Sequence, residues 1–363
     1  MFMRKYYLDN IRWATVVCVA IYHVFLVYSG VVPTMGTPFA DVQYQDGILY
    51  ILYPWFMVLL FIVAGMSSRY YLENHTIKEF IKTRTRKLLV PSTLGVLVFG
   101  WVTGYINVKN GGHFDELAQS VPGPVLYLII TASGIGVLWF IQMLWLFSML
   151  LALVRRFETG KLYAFTERTN VIAVILLGIP IWLSGLVLNT PVIVVYRFGI
   201  YPVAFFLGYF VFAHEEVIER ISKWRFVFIP AAAVLGILYL VLHFGDNYAD
   251  MPVMGSIPAM AYAWAAILAI FGGFKAWADK TGKVSAFMTK KSWGLYVFHN
   301  TAIAGTALLL RTYTSLGALP SYILVTIAAF AGGLALYEII SRIPFLRWCM
   351  LGIKKEKKES KNA

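Results

Sequence analysis

Residues 11–31 read IRWATVVCVAIYHVFLVYSGV, an apolar run long enough to cross the hydrocarbon core of a bilayer as one helix. The run is too long for the core of a secretory signal, and no small-x-small cleavage site follows it. Comparable runs recur to the far end of the chain. This repetition predicts an all-α, polytopic integral membrane protein.

Hydropathy predicts about ten transmembrane helices and no separate soluble domain. The predicted spans are residues 11–31, 47–68, 88–107, 135–154, 171–189, 197–213, 226–244, 257–274, 292–311 and 320–341. One membrane domain therefore covers residues 1–341, and residues 342–363 form a basic cytoplasmic tail that we expect to be disordered. Between the third and fourth spans, residues 125–132 fit either a short interfacial helix or the beginning of the fourth span.

Composition supports a membrane location. Hydrophobic residues make up 60% of the 363 positions and charged residues 13%, whereas about a quarter of a soluble protein is charged. Cys18 lies in the first span and Cys349 in the tail, so a disulfide framework is not expected.

The net charge of +13 would also fit a nucleic-acid-binding protein, but the positions of the charges argue against one. With the N-terminus inside, the predicted cytoplasmic segments contain 27 of the 31 lysines and arginines. Cytoplasmic loops of membrane proteins carry such an excess. The pattern predicts a multi-pass protein of the cytoplasmic membrane, with both termini in the cytoplasm, in contact with lipid and not with nucleic acid.

The first span carries two ionisable side chains, Arg12 near its inner end and His23 past its middle. Eleven residues at about 100° each complete three turns plus roughly 20°, so both lie on one face, about 16 Å apart along the helix. Asp9 precedes Arg12 by three residues and can pair with it. Ionisable groups within a membrane are costly and often functional, and a neutral imidazole can take a proton from a hydroxyl. In the simpler interpretation Arg12 extends to the interface and His23 bonds a neighbouring helix.

A second basic group precedes Pro91, between the second and third spans. Its members Arg84, Arg86 and Lys87 are predicted to lie on a short amphipathic helix that enters the third span, with Arg84 and Lys87 pointing the same way. Cations at the mouth of a membrane cavity suit phosphate groups, because arginine forms forked hydrogen bonds and lysine supplies a point charge. Ordinary cytoplasmic positive charge also explains this group.

Three further positions are candidates for a supporting role. Gly65 lets two helices approach closely and fits packing better than substrate contact. Trp139 begins the fourth span and suits either the membrane interface or the wall of a pocket. His299 places a second imidazole in the ninth span, where a structural hydrogen bond and a catalytic role both fit.

Several common catalytic signatures are absent from the sequence. It has no glycine-rich loop followed by lysine, no HExxH, no cysteines or histidines at zinc spacing and no G-x-S-x-G. These absences argue against ATP-driven, zinc-hydrolase and serine-hydrolase chemistry.

Taken in order, these stretches resemble the bacterial membrane-bound acyltransferase-3 family. Residues 7–12 (YLDNIR), followed after ten residues by His23, resemble its Arg-x10-His signature. Further similarity lies in residues 54–57 (PWFM) with 61–65 (FIVAG), in 80–91 (FIKTRTRKLLVP), in 139–140 (WF) and in 292–299 (SWGLYVFH). The sequence departs from the family's Arg-x-x-Arg stretch at Lys87, which removes a forked phosphate contact but keeps the positive field.

The resemblance implies transfer of an acyl group, with acetyl favoured, from cytoplasmic acyl-CoA to a hydroxyl of an extracytoplasmic glycan or related acceptor. It implies that Arg84, Arg86 and Lys87 bind the phosphates of CoA, that Arg12 meets the pantetheine or thioester region and that His23 is the general base. Acyl-CoA is then a donor substrate, and neither a permanently bound cofactor nor a metal ion is expected. Direct transfer and a covalent acyl-histidine relay are both compatible with the residues.

Two alternatives belong to other functional classes. A secondary transporter or exporter of a glycan or lipid-linked precursor could use intramembrane ionisable groups to couple ions. Against it, the sequence has no paired, Gly/Pro-interrupted helices in two matching halves. A non-catalytic membrane scaffold gives no reason for a deep histidine on the same face as Arg12.

Overall fold

The computed structural model describes residues 4–32, 38–112, 114–188 and 196–354, which contain helices and no strand. The helices are α1 (Tyr6–Leu26), α2 (Gly47–Leu72), α3 (Ile77–Asn110), α4 (Phe114–Ser120), α5 (Gly123–Ser133), α6 (Gly136–Val154), α7 (Lys161–Thr166), α8 (Val171–Gly185), α9 (Ile200–Phe212), α10 (Glu215–Lys223), α11 (Arg225–His243), α12 (Met251–Met254), α13 (Ile257–Trp277), α14 (Lys283–Tyr313), α15 (Ala318–Arg342) and α16 (Pro344–Leu351). A 3₁₀ turn, Tyr44–Asp46, leads into α2.

Six helices of the described chain are long and apolar enough to cross a membrane, namely α2, α3, α6, α11, α13 and α15. Helices α5, α8 and α9 are apolar but shorter. Helix α1 overlaps the predicted first span, and α14 contains the predicted ninth span. The polytopic, all-helical architecture is therefore confirmed. The count of ten spans and the cytoplasmic location of both termini stay predictions.

Helix α2 forms the centre of the bundle, whereas α11 and α15 lie at its periphery. The most apolar window of α2 is 78% buried, against 17% for α11 and for α15. Large apolar side chains on these outer helices face outward, with Val241 73% and Leu319 72% exposed. Because the backbone hydrogen bonds of a helix are satisfied internally, such surfaces suit contact with lipid.

The first helix begins and ends earlier than residues 11–31, the range predicted from hydropathy. It starts at Tyr6, so that Asp9 lies in the first turn, where a carboxylate complements the helix dipole. It ends at Leu26, and the chain then turns past Ala40. A β-carbon at Gly30 would lie 2.3 Å from the Ala40 carbonyl oxygen. This close approach requires glycine.

Between α3 and α6 the structure has a separate helix, α5, and not an early start of the fourth span. Helix α5 packs against α3 where glycines leave room. A β-carbon at Gly104 would lie 1.7 Å from the Ile130 carbonyl oxygen, and one at Gly134 would lie 1.8 Å from the carbonyl oxygen of Gly100.

The expectation of a disordered tail from residue 342 is wrong for its first part. Residues 344–351 form α16, in which Cys349 and Leu351 are buried. This helix packs against α3, where a β-carbon at Gly95 would lie 2.8 Å from the Cys349 carbonyl oxygen. The last residues of the predicted tail, 355–363, lie outside the described part of the chain.

Two glycines allow α2 and α9 to cross in direct backbone contact. A β-carbon at Gly65 would lie 2.0 Å from the Phe205 carbonyl oxygen, and one at Gly208 would lie 2.0 Å from that of Ile62. Gly65 therefore lets α2 and α9 pack closely, which was the preferred interpretation of this glycine from the sequence.

We expect Gly65→Ala to destabilise the protein by about 1–3 kcal/mol, the usual cost of adding a methyl group to a filled interior. Its methyl group would collide with backbone, which cannot rotate away as a side chain can. Gly123→Ala is the control, because a β-carbon at Gly123 meets no atom within 4 Å. Melting temperatures of the detergent-solubilised variants test this, and equal values would contradict it.

One end of the bundle is joined by an ionic network around Glu215, at the beginning of α10. Its carboxylate pairs with Lys5 before α1 and with Lys275 near the end of α13. Lys275 also pairs with Asp279 at 3.0 Å, and Asp279 accepts a hydrogen bond from the backbone N–H of Tyr7 at 3.1 Å. The network thus fixes the start of α1 to two other helices.

Burial raises the pKa of Glu215, but the hydrogen-bonded ion pairs with Lys275 and Lys5 outweigh burial and hold the pKa below its ordinary value of 4.5. A carboxyl whose pKa is depressed by folding stabilises the fold at neutral pH, and this contribution is lost as pH falls through the folded pKa. We expect Glu215→Gln to lower the melting temperature at pH 7 and to flatten its decline at acidic pH. Glu219→Gln, an exposed position of the same helix, is the control. Identical melting curves for both variants would refute the prediction.

Candidate active site

Arg12 lies near the start of α1, where α1 contacts the last turns of α2. Its Nη1 donates to Asp9 Oδ1 at 3.0 Å, and its Nη2 donates to Ser67 Oγ at 2.8 Å. The Ser67 hydroxyl donates in turn to the Val63 carbonyl at 2.7 Å, which leaves its lone pairs for the guanidinium. The predicted pairing of Asp9 with Arg12 is present, and the Arg12 side chain is still 42% exposed.

Arg84 approaches the same end of α2 from α3. Its Nη2 donates to Ser68 Oγ at 2.9 Å, and its guanidinium lies 5.1 Å from the centre of the Phe80 ring. None of the ion pairs in the described chain includes Arg84. Two consecutive serines therefore hold Arg12 and Arg84, and the latter lacks a counter-ion among the described residues.

The other two basic candidates differ from Arg84. Residues 85–89 are π-helical, so the spacing rule of an α-helix does not apply to them, and the common direction of Arg84 and Lys87 stays a prediction. Lys87 is exposed, whereas Arg84 and Arg86 are partly buried. The chain after α16 passes close to Arg86, since a β-carbon at Gly352 would lie 2.5 Å from its carbonyl oxygen.

His23 lies farther along α1, and its hydrogen bonds define its tautomer. Its Nδ1 is 2.8 Å from the Val19 carbonyl oxygen, an atom that can only accept, so Nδ1 carries the proton. The Nε2 lone pair is then available to a ligand. The ring of His299, on α14, lies 5.1 Å from that of His23.

A cavity of about 90 Å³ adjoins the imidazole of His23. Trp139 contributes to its wall and stacks on Tyr201 with ring centres 5.6 Å apart. The cavity is lined by Val19, Tyr22, His23, Leu26, Tyr53, Phe56, Met57, Val137, Trp139, Phe140, Tyr201 and Tyr296. Most of the wall is aromatic, and the few polar groups that converge on it suit small-molecule binding.

Arg12 contacts α2 through Ser67, whereas His23 contacts α14 through His299, and Arg12 does not line the cavity. Arg12 bonds Ser67, and the cavity around His23 is lined from α2 by residues 53, 56 and 57. Val16 and Val19, both buried, lie between them on α1. The two groups therefore lie at different depths of α1, about 16 Å apart along its axis.

The sequence did not identify most of the aromatic wall. Tyr22 is adjacent to His23, and Tyr296 lies in the same block as His299, so position alone could have suggested them. No such signal marks Tyr53 or Tyr201, because aromatic residues make up 16% of the chain.

Comparison with known proteins identifies a family for the chain. The family model described as Acyltransferase domain (Acyl_transf_3) matches residues 5–338, which include α1 and nearly all of α15. No curated protein and no solved structure shows significant similarity to the chain. The match supports a membrane acyltransferase and does not favour a transporter. The chain belongs to the acyltransferase-3 family.

Proposed function

We propose that this protein is an O-acyltransferase of the cytoplasmic membrane. It moves an acyl group, preferably acetyl, from cytoplasmic acyl-CoA to a hydroxyl of an extracytoplasmic glycan or a related acceptor. The observation that carries the proposal is the imidazole of His23, whose Nδ1 is bound to the Val19 carbonyl while the ring lines a cavity. A neutral imidazole with one free nitrogen is the usual general base for a hydroxyl.

His23 Nε2 takes the proton of the acceptor hydroxyl as the hydroxyl oxygen attacks the thioester carbonyl carbon. A C–O bond forms and the C–S bond breaks. The thiolate of CoA leaves and receives the proton from Nε2, so the products are the ester and free CoA, and the imidazole is neutral again. In the alternative relay, Nε2 itself attacks the thioester carbonyl carbon, so a C–N bond forms, the C–S bond breaks and the thiolate of CoA leaves. The hydroxyl oxygen then attacks the acyl group, the C–N bond breaks, and the hydroxyl proton passes to the thiolate, which again gives the ester and free CoA.

The inner end of the α1–α2 interface suits the phosphates of CoA. Arg12 and Arg84 lie close enough to repel each other and are held by adjacent serines. An anion placed between them would relieve this repulsion and accept charge-assisted hydrogen bonds. Arg86 and Lys87 add positive field at the same end.

The acyl end of the donor must then reach His23, past Val16 and Val19. The pantetheine arm is long and flexible, and its binding would open this stretch of the interface. On the far side, the aromatic side chains that line the cavity, Trp139 among them, would contact the apolar face of a sugar ring. A narrow aromatic cavity thus supports a single hydroxyl-bearing ring as the acceptor.

The decisive experiment supplies labelled acetyl-CoA to inside-out membrane vesicles and measures label in envelope polymers. We expect His23→Ala to reduce transfer by at least about 100-fold, the lower range of general-base catalysis. Cys18→Ala, on the same helix but outside the cavity lining, should keep the wild-type rate. Transfer by His23→Ala at the wild-type rate, with equal protein in the membrane, would exclude this mechanism.

Arg84→Gln should raise KM for acetyl-CoA about tenfold to a hundredfold, because a hydrogen bond to a charged group contributes about 1.5–3 kcal/mol. Lys78→Gln removes the same charge from the exposed surface near the beginning of α3 and serves as the control. If both substitutions changed KM equally, general positive charge and not a defined phosphate site would explain this region.

A further inference from the structure

A second imidazole lies directly behind His23. His299 is 0% exposed and is not part of the cavity wall. Its Nε2 is 3.3 Å from His23 Nδ1, and its own Nδ1 is 2.9 Å from the Leu295 carbonyl oxygen. Since a carbonyl only accepts, His299 carries its proton on Nδ1, and its Nε2 offers a lone pair to His23.

The His23 Nδ1–H group therefore has two acceptors, the Val19 carbonyl oxygen and His299 Nε2. The two imidazole planes are inclined at 63°, so the lone pair of one ring can point at the edge of the other. This geometry leaves no ring nitrogen of His299 for a substrate. Any effect of His299 on catalysis has to pass through His23.

Close packing fixes the position of His299. A β-carbon at Gly333, in α15, would lie 3.3 Å from the His299 Cα atom, so α14 and α15 nearly touch there. The ring is thus attached to a backbone that cannot shift easily, and its orientation is set by its bond to Leu295 in the preceding turn.

We infer that His299 is a positioning residue for His23, an inference that rests on the proposed function. It holds the Nδ1–H tautomer and directs Nε2 toward the acceptor. When Nε2 takes the hydroxyl proton, the imidazolium keeps its Nδ1–H, and the His299 lone pair stabilises the new positive charge until the proton passes to the leaving thiolate. The aspartate of a Ser-His-Asp triad has this role. Here a neutral imidazole orients the catalytic histidine and stabilises its charged form, and no carboxylate has to be buried in the membrane.

Two amide variants separate positioning from packing. The glutamine side chain of His299→Gln can present an oxygen near the place of Nε2, whereas the shorter side chain of His299→Asn cannot reach it. We expect His299→Asn to lower the maximal rate of acetyl transfer in vesicles about 10–100-fold, the range for groups that orient a histidine, with KM for acetyl-CoA unchanged. His299→Gln should restore most of the rate.

His214→Ala is the control for loss of a buried histidine, because His214 bonds Tyr163 and Thr166 away from the cavity. It should leave the rate unchanged. Equal rates for the two His299 variants, or rates that follow melting temperature, would overturn the inference. If His23→Ala is inactive in the same assay, the proposed function still stands. Full transfer by His23→Ala would overturn both.

Discussion

A polar group inside a lipid-embedded bundle must find its partner within the protein, and the α1–α2–α14 contact is arranged around this constraint. Along one face of α1, Arg12 is held by Asp9 and Ser67, and His23 by Val19 and His299. These bonds tie α1 to its two neighbours at different depths. Water could satisfy the same groups in a soluble protein, but in a membrane their unmet hydrogen bonds would each cost several kcal/mol, about the stability of a small domain.

The helical membrane architecture and the shared face of Arg12 and His23 could be predicted from the sequence, because hydropathy and helical periodicity are local properties. The ends of the helices were harder to predict from the sequence. Gly30 approaches Ala40 closely just after the end of α1, and such a contact between segments leaves no periodic signal. The common direction of Arg84 and Lys87 stays a prediction for another reason. The π-helical turns of residues 85–89 change the number of residues per turn, so a spacing rule for α-helices does not apply.

The pairing of His23 with His299 could not be predicted either, because the two residues are 276 positions apart. Periodicity along one chain contains no information about which helices are neighbours. The aromatic wall of the cavity could not be predicted for the same reason, since its members come from α1, α2, α9, α14 and the beginning of α6. Family membership identifies a membrane acyltransferase. In the proposed function, the size and chemistry of the accepted hydroxyl compound depend on this wall.

The position of α16 has a practical consequence for anyone shortening or tagging the protein. The similarity to the family stops at residue 338, and a cut there would seem natural. It would remove α16, whose end lies close to Arg86. Gly352, which follows this helix with a φ of +65°, is the residue that makes the approach. Its removal would therefore uncover one side of the group formed by Arg84, Arg86 and Lys87. Reporter fusions or purification handles should therefore be joined after residue 354, so that Pro344–Leu351 keeps its contact with α3.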